Sequence, residues 1–171
     1  MFGALDLADM RGRKLGTSGI AAYGRAKVPG GLSLLLFTLE LQRRLRLAGA
    51  PVEAFAVHPG LVNTRLFSKV NFRFPFAVWS WAASLVMGQS AAQGAQSLVV
   101  AATSPQLRGK GGSYIGPSYA LNAFHGRVRR PVNPAARDPD TWAALWDKTL
   151  ELVQEVTGAP LPSLPAVGAR V

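Results

Sequence analysis

The sequence of 171 residues contains no cysteine, which excludes a disulfide framework, a thiolate metal site and a cysteine nucleophile. No metal site is predicted. The absence of cysteine also fits a reducing compartment such as the cytoplasm. Acidic residues are scarce, nine against 19 lysines and arginines, and the formal net charge is +10. Because apolar residues make up 49% of the chain and charged residues 16%, we expect it to fold around a core.

The sequence also lacks a segment with the form of a signal peptide or a transmembrane helix. Its first 15 residues carry Asp6 and Asp9 and have no continuous apolar run. The segment from Phe74 to Met87 is apolar and aromatic, but it is shorter than the roughly 20 residues that a bilayer span needs. We expect a buried helix there, and peripheral contact with a membrane surface is the alternative interpretation.

Basic residues form three clusters, at 11–14, 43–46 and 127–130. A positive charge of this size favours partners that carry phosphate, such as a nucleotide, a nucleic acid or an anionic lipid. The alternative is a solvated charged face. No aromatic residues alternate with the basic ones, as a surface that stacks bases would require, so a nucleic acid is the less favoured partner.

Local patterns predict four helices and two strands in one domain of residues 1–158, followed by a loose tail, 159–171. The predicted elements, in chain order, are a helix from Ile20 to Leu47, a strand from Val52 to Val57, a helix at 74–87, a helix that follows Ser90 and runs to Thr103, a strand from Gly112 to Gly116, and a helix that Asp138 and Pro139 begin and Gly158 ends. This alternation predicts an α/β layered fold with parallel strands, of which two alone cannot form a stable sheet.

Tyr23 and Lys27 lie one turn apart in the first predicted helix, so their side chains share a face. A free tyrosine has a pKa of about 10, and a nearby ammonium group lowers that value. A tyrosine tuned in this way can exchange a proton with a carbonyl or alcohol oxygen. The spacing alone is weak, because an exposed pair on a helix would have the same pattern.

The helix leads into a strand that ends in His58-Pro59-Gly60, with Thr64 four residues after Gly60. In open α/β sheets, ligands bind beyond the carboxyl ends of the strands. The chain resembles the short-chain dehydrogenase/reductases, whose active-site helix carries Tyr-x-x-x-Lys and whose next strand ends in Pro-Gly-x-x-x-Thr. The runs Phe37 to Leu45, Val57 to Val62, Gln93 to Gln96 and Gly112 to Gly116 resemble the retinol-dehydrogenase-like branch.

The resemblance implies an oxidoreductase that moves hydride between NAD or NADP, with a slight preference for NADP, and a carbonyl or alcohol substrate of apolar character. Tyr23 would be the general acid and base, and Lys27 would lower its pKa and bind the nicotinamide ribose. Pro59, Gly60, Leu61 and Val62, through their backbone, and the Thr64 hydroxyl would hold the carboxamide of the nicotinamide. His58 is expected to have a structural role at the end of the strand.

The sequence departs from the family pattern in two ways. No glycine-rich phosphate loop and no Asn-Ala-Gly segment precede Tyr23, so the fold is expected to be a partial Rossmann-like doubly wound parallel sheet without its dinucleotide-binding half. The catalytic serine of the family is expected upstream of Met1. In addition, Val28 to Gly31 is an insertion of about four residues, after which the helix either recovers its face or breaks.

Three functions are consistent with the sequence. The first is the oxidoreductase that the resemblance implies. The second is a truncated, non-catalytic chain or a pseudoenzyme. The third is a basic module that binds nucleic acid.

Overall fold

A computed structural model describes residues 7–10, 19–60, 62, 89–117, 127–131 and 133–159, with the backbone alone for residues 19–30. These ranges contain three helices, three strands and three short 3-10 helices. The helices are α1 (Gly19–Leu47), α2 (Ala91–Thr103) and α3 (Pro139–Thr157). The strands are β1 (Ala56–Val57), β2 (Tyr114–Gly116) and β3 (Arg127–Arg129), and the 3-10 helices are Leu7–Asp9, Pro105–Leu107 and Pro134–Arg137.

The strands form one sheet in the order β1-β2-β3. Strands β1 and β2 are parallel, as predicted, with Ala56 opposite Tyr114. Strand β3 is antiparallel to β2, with Arg127 opposite Gly116, and no local pattern in the sequence predicted it. The sheet of this α/β fold is therefore mixed.

Strand β1 is shorter than its predicted range, Val52 to Val57. Before Ala56 the backbone is bonded to groups outside a regular ladder. The Ala54 N–H donates to the side chain of Gln42, and the Ala54 carbonyl accepts from Gly112. The regular parallel pairing begins only where Ala56 donates to Ser113.

The helices cover both faces of the sheet. Alternate residues of a strand point to opposite faces. Ala56 lies in a buried cluster with Leu35 and Leu36 of α1 and Leu145 of α3. Helix α2 contributes no residue to this cluster in the described part of the chain, yet it contacts β1 and β2. It therefore lies on the other face, beside Ile115, which is fully buried.

Helices α1 and α3 pack through one aromatic and cationic contact. The rings of Phe37 and Trp146 stack with centroids 4.6 Å apart, and the Arg44 guanidinium lies 4.8 Å from the Trp146 ring centroid. Arg44 and Arg43 also donate to the buried carboxylate of Glu40, each at 2.7 Å. Two arginines of the basic cluster at 43–46 are thus engaged in contacts within the molecule.

The predicted signals at the helix ends are confirmed. The helix that follows Ser90 begins with a capping box, which Ser90 and Gln93 form at the start of α2. Asp138 caps α3 by accepting from the backbone of Asp140, and Gly158 ends it in a left-handed conformation, with φ of 66°.

Helix α1 continues without a break through Val28 to Gly31, the segment predicted to be an insertion. The alternative of a break after Lys27 is therefore wrong. Pro29 lacks a backbone donor, and the helix tolerates it. Four added residues turn a helix by about 400°, so the face recovers to within about 40°.

Several predictions concern residues outside the described ranges. They are the helix at 74–87, the tail beyond 159, the basic cluster at 11–14, Leu61 and Thr64. None of the helices that the structure describes is both long and apolar enough to cross a lipid bilayer.

Candidate functional site

The two parallel strands end at the same edge of the sheet, and each is followed by a proline. His58-Pro59-Gly60 follows β1, and Pro117 follows β2. The ladder extends to this edge, because the His58 N–H donates to the Ile115 carbonyl at 2.8 Å. The carboxyl ends of parallel strands are where α/β sheets bind ligands, so this edge is the first place to look for a site.

Gly60 turns the chain at this edge. Its φ is +83°, a conformation that residues with side chains rarely adopt. A Cβ atom at Gly60 would lie 2.7 Å from Pro117 Cγ and 2.8 Å from Gln89 Nε2. Only glycine therefore fits, and the turn is held between Pro117 and Gln89.

Gln89 joins this turn to helix α2. It pairs with Val62 in a parallel bridge, and Val62 packs on Gly94 in the first turn of α2. Gln89 is only 4% exposed. Its Oε1 is buried and has no hydrogen-bond partner in the part of the chain that the structure describes. Such a group is costly, by about 1–3 kcal/mol, unless a donor reaches it.

His58 is bonded to the same turn. Its Nδ1 accepts from the Gly60 N–H at 2.9 Å. The Arg129 side chain passes close to Gly116, with its Cδ 3.3 Å from where a Cβ would lie, and Gly116 also adjoins the His58 backbone. Partial burial of the ring, together with the positive charge of Arg129, lowers the pKa of His58 below 6.5. The imidazole is therefore neutral at neutral pH.

Helix α1 runs antiparallel to β1, as its contacts show. Gln42 bonds to Ala54, and Leu36, nearer the start of the helix, packs in the cluster of Ala56, further along the strand. The start of α1, with Tyr23 and Lys27, therefore extends toward the edge of the sheet where Gly60 lies.

The rise per residue of a helix and of a strand gives the distances of Lys27, Tyr23 and Gly60 from the buried cluster. Lys27 lies about 13 Å along the helix axis from Leu36. Gly60 lies at most about 13 Å beyond Ala56 along the direction of the strand. Lys27 and Gly60 thus extend in the same direction from the buried cluster, and Tyr23 lies about 6 Å, or one turn, beyond Lys27 along the helix.

The structure thus brings together Pro59, Gly60 and Val62 in one turn and directs the backbone of α1 at Tyr23 and Lys27 toward it. Leu61 and Thr64 lie outside the described residues. Sequence reasoning missed Gln89, Pro117 and Arg129. Pro117 had a local signal, because it repeats the proline that follows the first strand. The only local signal for Gln89 was its position directly before the capping residue Ser90. Arg129 had no local signal, because the pairing of β3 with β2 determines its place.

Comparison with known proteins gives the family. No family model matches the chain. It is 34% identical to polyprenol dehydrogenase of Mus musculus over 154 residues, which cover 88% of this chain and 40% of that protein. It is 31% identical to retinol dehydrogenase 12 of Mus musculus over 90% of this chain and 42% of that protein. It is also 30% identical to a short chain dehydrogenase/reductase of Macrophomina phaseolina, over 78% of this chain and 60% of that protein.

The chain belongs to the short-chain dehydrogenase/reductase family. This short-chain dehydrogenase/reductase spans about two fifths of the length of the polyprenol and retinol dehydrogenases that it matches. It is also similar to the crystal structure of an uncharacterized protein from Mycobacterium paratuberculosis. The TM-score is 0.54 at 30% identity, and the match covers 94% of this chain and 47% of that one. The expected partial Rossmann-like α/β fold is confirmed.

The family implies a nicotinamide cofactor. The hydrogen-bonding groups at the Gly60 turn can be compared with those of its carboxamide. The carboxamide of a nicotinamide presents an N–H₂ donor and a carbonyl acceptor. The turn offers a glycine backbone without a side chain and, beside it, the unpartnered Oε1 of Gln89. Gln89 Oε1 can accept from the N–H₂ group, so this set of groups fits the donor side of a nicotinamide carboxamide.

Proposed function

We propose that the protein is an NAD(P)-dependent oxidoreductase that moves hydride between the cofactor and a carbonyl or alcohol carbon. The observation that supports this most is the meeting of two elements at one edge of the sheet. The first turns of α1 carry Tyr23 and Lys27, and the turn at Gly60 follows β1. Each motif is weak alone, and the antiparallel course of α1 and β1 supports their acting at the same edge.

The substrate that we propose is a long apolar alcohol or the aldehyde derived from it. The names of two relatives, polyprenol dehydrogenase and retinol dehydrogenase 12, both refer to isoprenoid alcohols. The apolar and aromatic composition of the segment from Phe74 to Met87 favours the same class.

When bound, the nicotinamide cofactor supplies or accepts the hydride. In this proposal the Tyr23 hydroxyl gives a proton to the carbonyl oxygen in reduction and takes it back in oxidation. The Lys27 ammonium stabilises the phenolate and lowers the pKa of Tyr23 toward neutrality. The backbone from Pro59 to Val62 and the Thr64 hydroxyl hold the carboxamide. NADP is favoured slightly over NAD.

The non-catalytic alternative has one observation in its favour. Because α1 is continuous through Val28 to Gly31, these four residues add about one turn, or 6 Å, between Tyr23 and the part of α1 that packs on the sheet. A protein in this arrangement would bind the cofactor through the Gly60 turn without placing the phenol at the reacting carbon.

The experiment that separates the two functions measures binding and turnover on the same preparation. Quenching of tryptophan fluorescence gives the Kd of NADPH and of NADH. The loss of absorbance of the reduced cofactor, with retinaldehyde or a polyprenal as substrate, gives turnover. The proposal predicts both binding and turnover. Binding without turnover, or no binding of either cofactor, contradicts the proposal and supports the non-catalytic alternative.

A further inference from the structure

We propose that His58 is a positioning residue, whose neutral imidazole holds the Gly60 turn in the conformation that receives the nicotinamide end of the cofactor. This inference rests on the proposed function, because the ligand is the one that the proposal assigns to the turn. His58 acts through Gly60 and makes no contact with the reacting atoms.

The geometry carries this assignment. The Gly60 N–H donates to His58 Nδ1 at 2.9 Å, across two residues of the chain. This bond closes a small ring around Pro59, which has no N–H of its own to offer. Gly60 holds a φ of +83° in the same ring. Because Nδ1 accepts, the proton of the neutral ring must be on Nε2.

Protonation of His58 would remove the acceptor. In the imidazolium both ring nitrogens carry a proton, so Nδ1 would face the Gly60 N–H donor to donor. Among the described residues, the titratable or charged groups that face the ring are Arg129 on β3 and Tyr114 on β2, whose ring centroid lies 6.5 Å away. The charge of Arg129 disfavours a second positive charge on the ring.

An asparagine at this position provides a matched control. Its side-chain oxygen can accept from the backbone N–H two residues later, which is the geometry of an Asx turn. It carries no ionisable group. His58→Asn therefore keeps the acceptor and removes the titration, whereas His58→Ala removes both.

The test is the Kd of NAD, which lacks the titratable 2′-phosphate of NADP, measured by tryptophan fluorescence between about pH 5 and pH 8. If only the neutral ring supports binding, the Kd of the wild-type protein rises about tenfold for each pH unit below the pKa of His58. His58→Asn should bind with the affinity of the wild-type protein at neutral pH and keep it at low pH. His58→Ala should bind weakly at every pH. Circular dichroism at each pH confirms that the three proteins remain folded.

A proton NMR titration identifies the group responsible. The sequence has two histidines, so the resonance missing from His58→Asn is that of His58. The midpoint of the His58 titration should match the midpoint of the change in Kd with pH. A wild-type pH profile retained in His58→Asn, or undiminished affinity in His58→Ala, would overturn the assignment. If the wild-type protein binds no nicotinamide cofactor at any pH, the proposed function itself fails.

Discussion

The side-chain Oε1 of Gln42 in α1 accepts a hydrogen bond from the backbone N–H of Ala54 at 2.7 Å. Gln42 is 4% exposed, and its side chain fills the space where Gly111 has no Cβ atom. One buried amide thus joins the helix, the approach to β1 and the loop before β2. This contact sets the level of α1 against the sheet, and the position of Tyr23 relative to Gly60 depends on it.

Replacing Gln42 should loosen this junction. Gln42→Leu removes the acceptor of the half-buried Ala54 N–H, so we expect the free energy of unfolding to fall by about 1 kcal/mol. Urea denaturation followed by circular dichroism measures the change. Gln154→Leu is the control, because Gln154 is an exposed residue of α3, and its substitution should change stability by less than about 0.5 kcal/mol. Equal effects from the two variants would remove Gln42 from this role.

Gly60→Ala should be more harmful than alanine at another glycine with positive φ. The new Cβ would lie 2.7 Å from the rigid ring of Pro117, so we expect a loss of about 3 kcal/mol and weaker cofactor binding. Gly49 has a φ of +64° and open space around it, so Gly49→Ala should cost about 1 kcal/mol and leave cofactor binding unchanged. Thermal unfolding and cofactor titration of the two variants make the comparison.

Glu40 should make stability depend on acid pH. Burial alone raises the pKa of Glu40, but the hydrogen bonds and charges of Arg43 and Arg44 outweigh it and hold the pKa below 4.5. The carboxylate therefore contributes stability above about pH 4.5, and this contribution is lost as the pH falls through the lower pKa of the folded state.

Stability plotted against pH should fall at acid pH, and we call this part of the curve the acid limb. Glu40→Gln should flatten the acid limb and lower stability at neutral pH. We expect a loss of about 2 kcal/mol, less than for a fully buried pair, because Arg43 keeps 29% of its side chain exposed and can reach water. Glu151→Gln is the control, since Glu151 pairs with Lys148 at the surface and is 62% exposed. An acid limb that is unchanged in Glu40→Gln would contradict the role of this carboxylate.

Deleting Val28 to Gly31 should move Tyr23 by about 6 Å along the helix axis while turning it by only about 40°. If the added turn holds the phenol away from the reacting carbon, the deletion raises turnover. Pro29→Ala is the matched control, because it favours the helix without moving Tyr23. Both variants are assayed for turnover and for cofactor Kd. Turnover that falls in the deletion variant would show that the added turn belongs to the working site.

The helix caps could be predicted from adjacent residues in the sequence, whereas strand β3 could not. Ser90 and Gln93 each accept a hydrogen bond from the other's backbone N–H, and the Asp138 side chain accepts from the backbone N–H of Asp140. Each of these helix starts is therefore encoded by a few adjacent residues. Strand β3 is an exposed edge strand whose alternation of arginine and valine has no apolar run. Only its pairing with β2 defines it, and that pairing is not local.

The candidate site divides in the same way. The motifs that contain Tyr23 and Gly60 could be read directly, because each is contiguous. The places of Gln89 and Arg129 depend on how β1, β2 and the turn before α2 meet, which no local pattern specifies. The strand predicted from Val52 begins only at Ala56 for a related reason, since the Ala54 N–H donates to the side chain of Gln42 instead of to a neighbouring strand.

The most direct test of this account is the turnover of Tyr23→Phe, measured together with its cofactor Kd. The substitution removes one hydroxyl and keeps the ring, so we expect turnover to fall by about 10²- to 10⁴-fold while the Kd changes little. Tyr119→Phe, at a tyrosine with no proposed role, should leave both unchanged. Wild-type turnover in Tyr23→Phe would contradict the proton-transfer role on which the account depends.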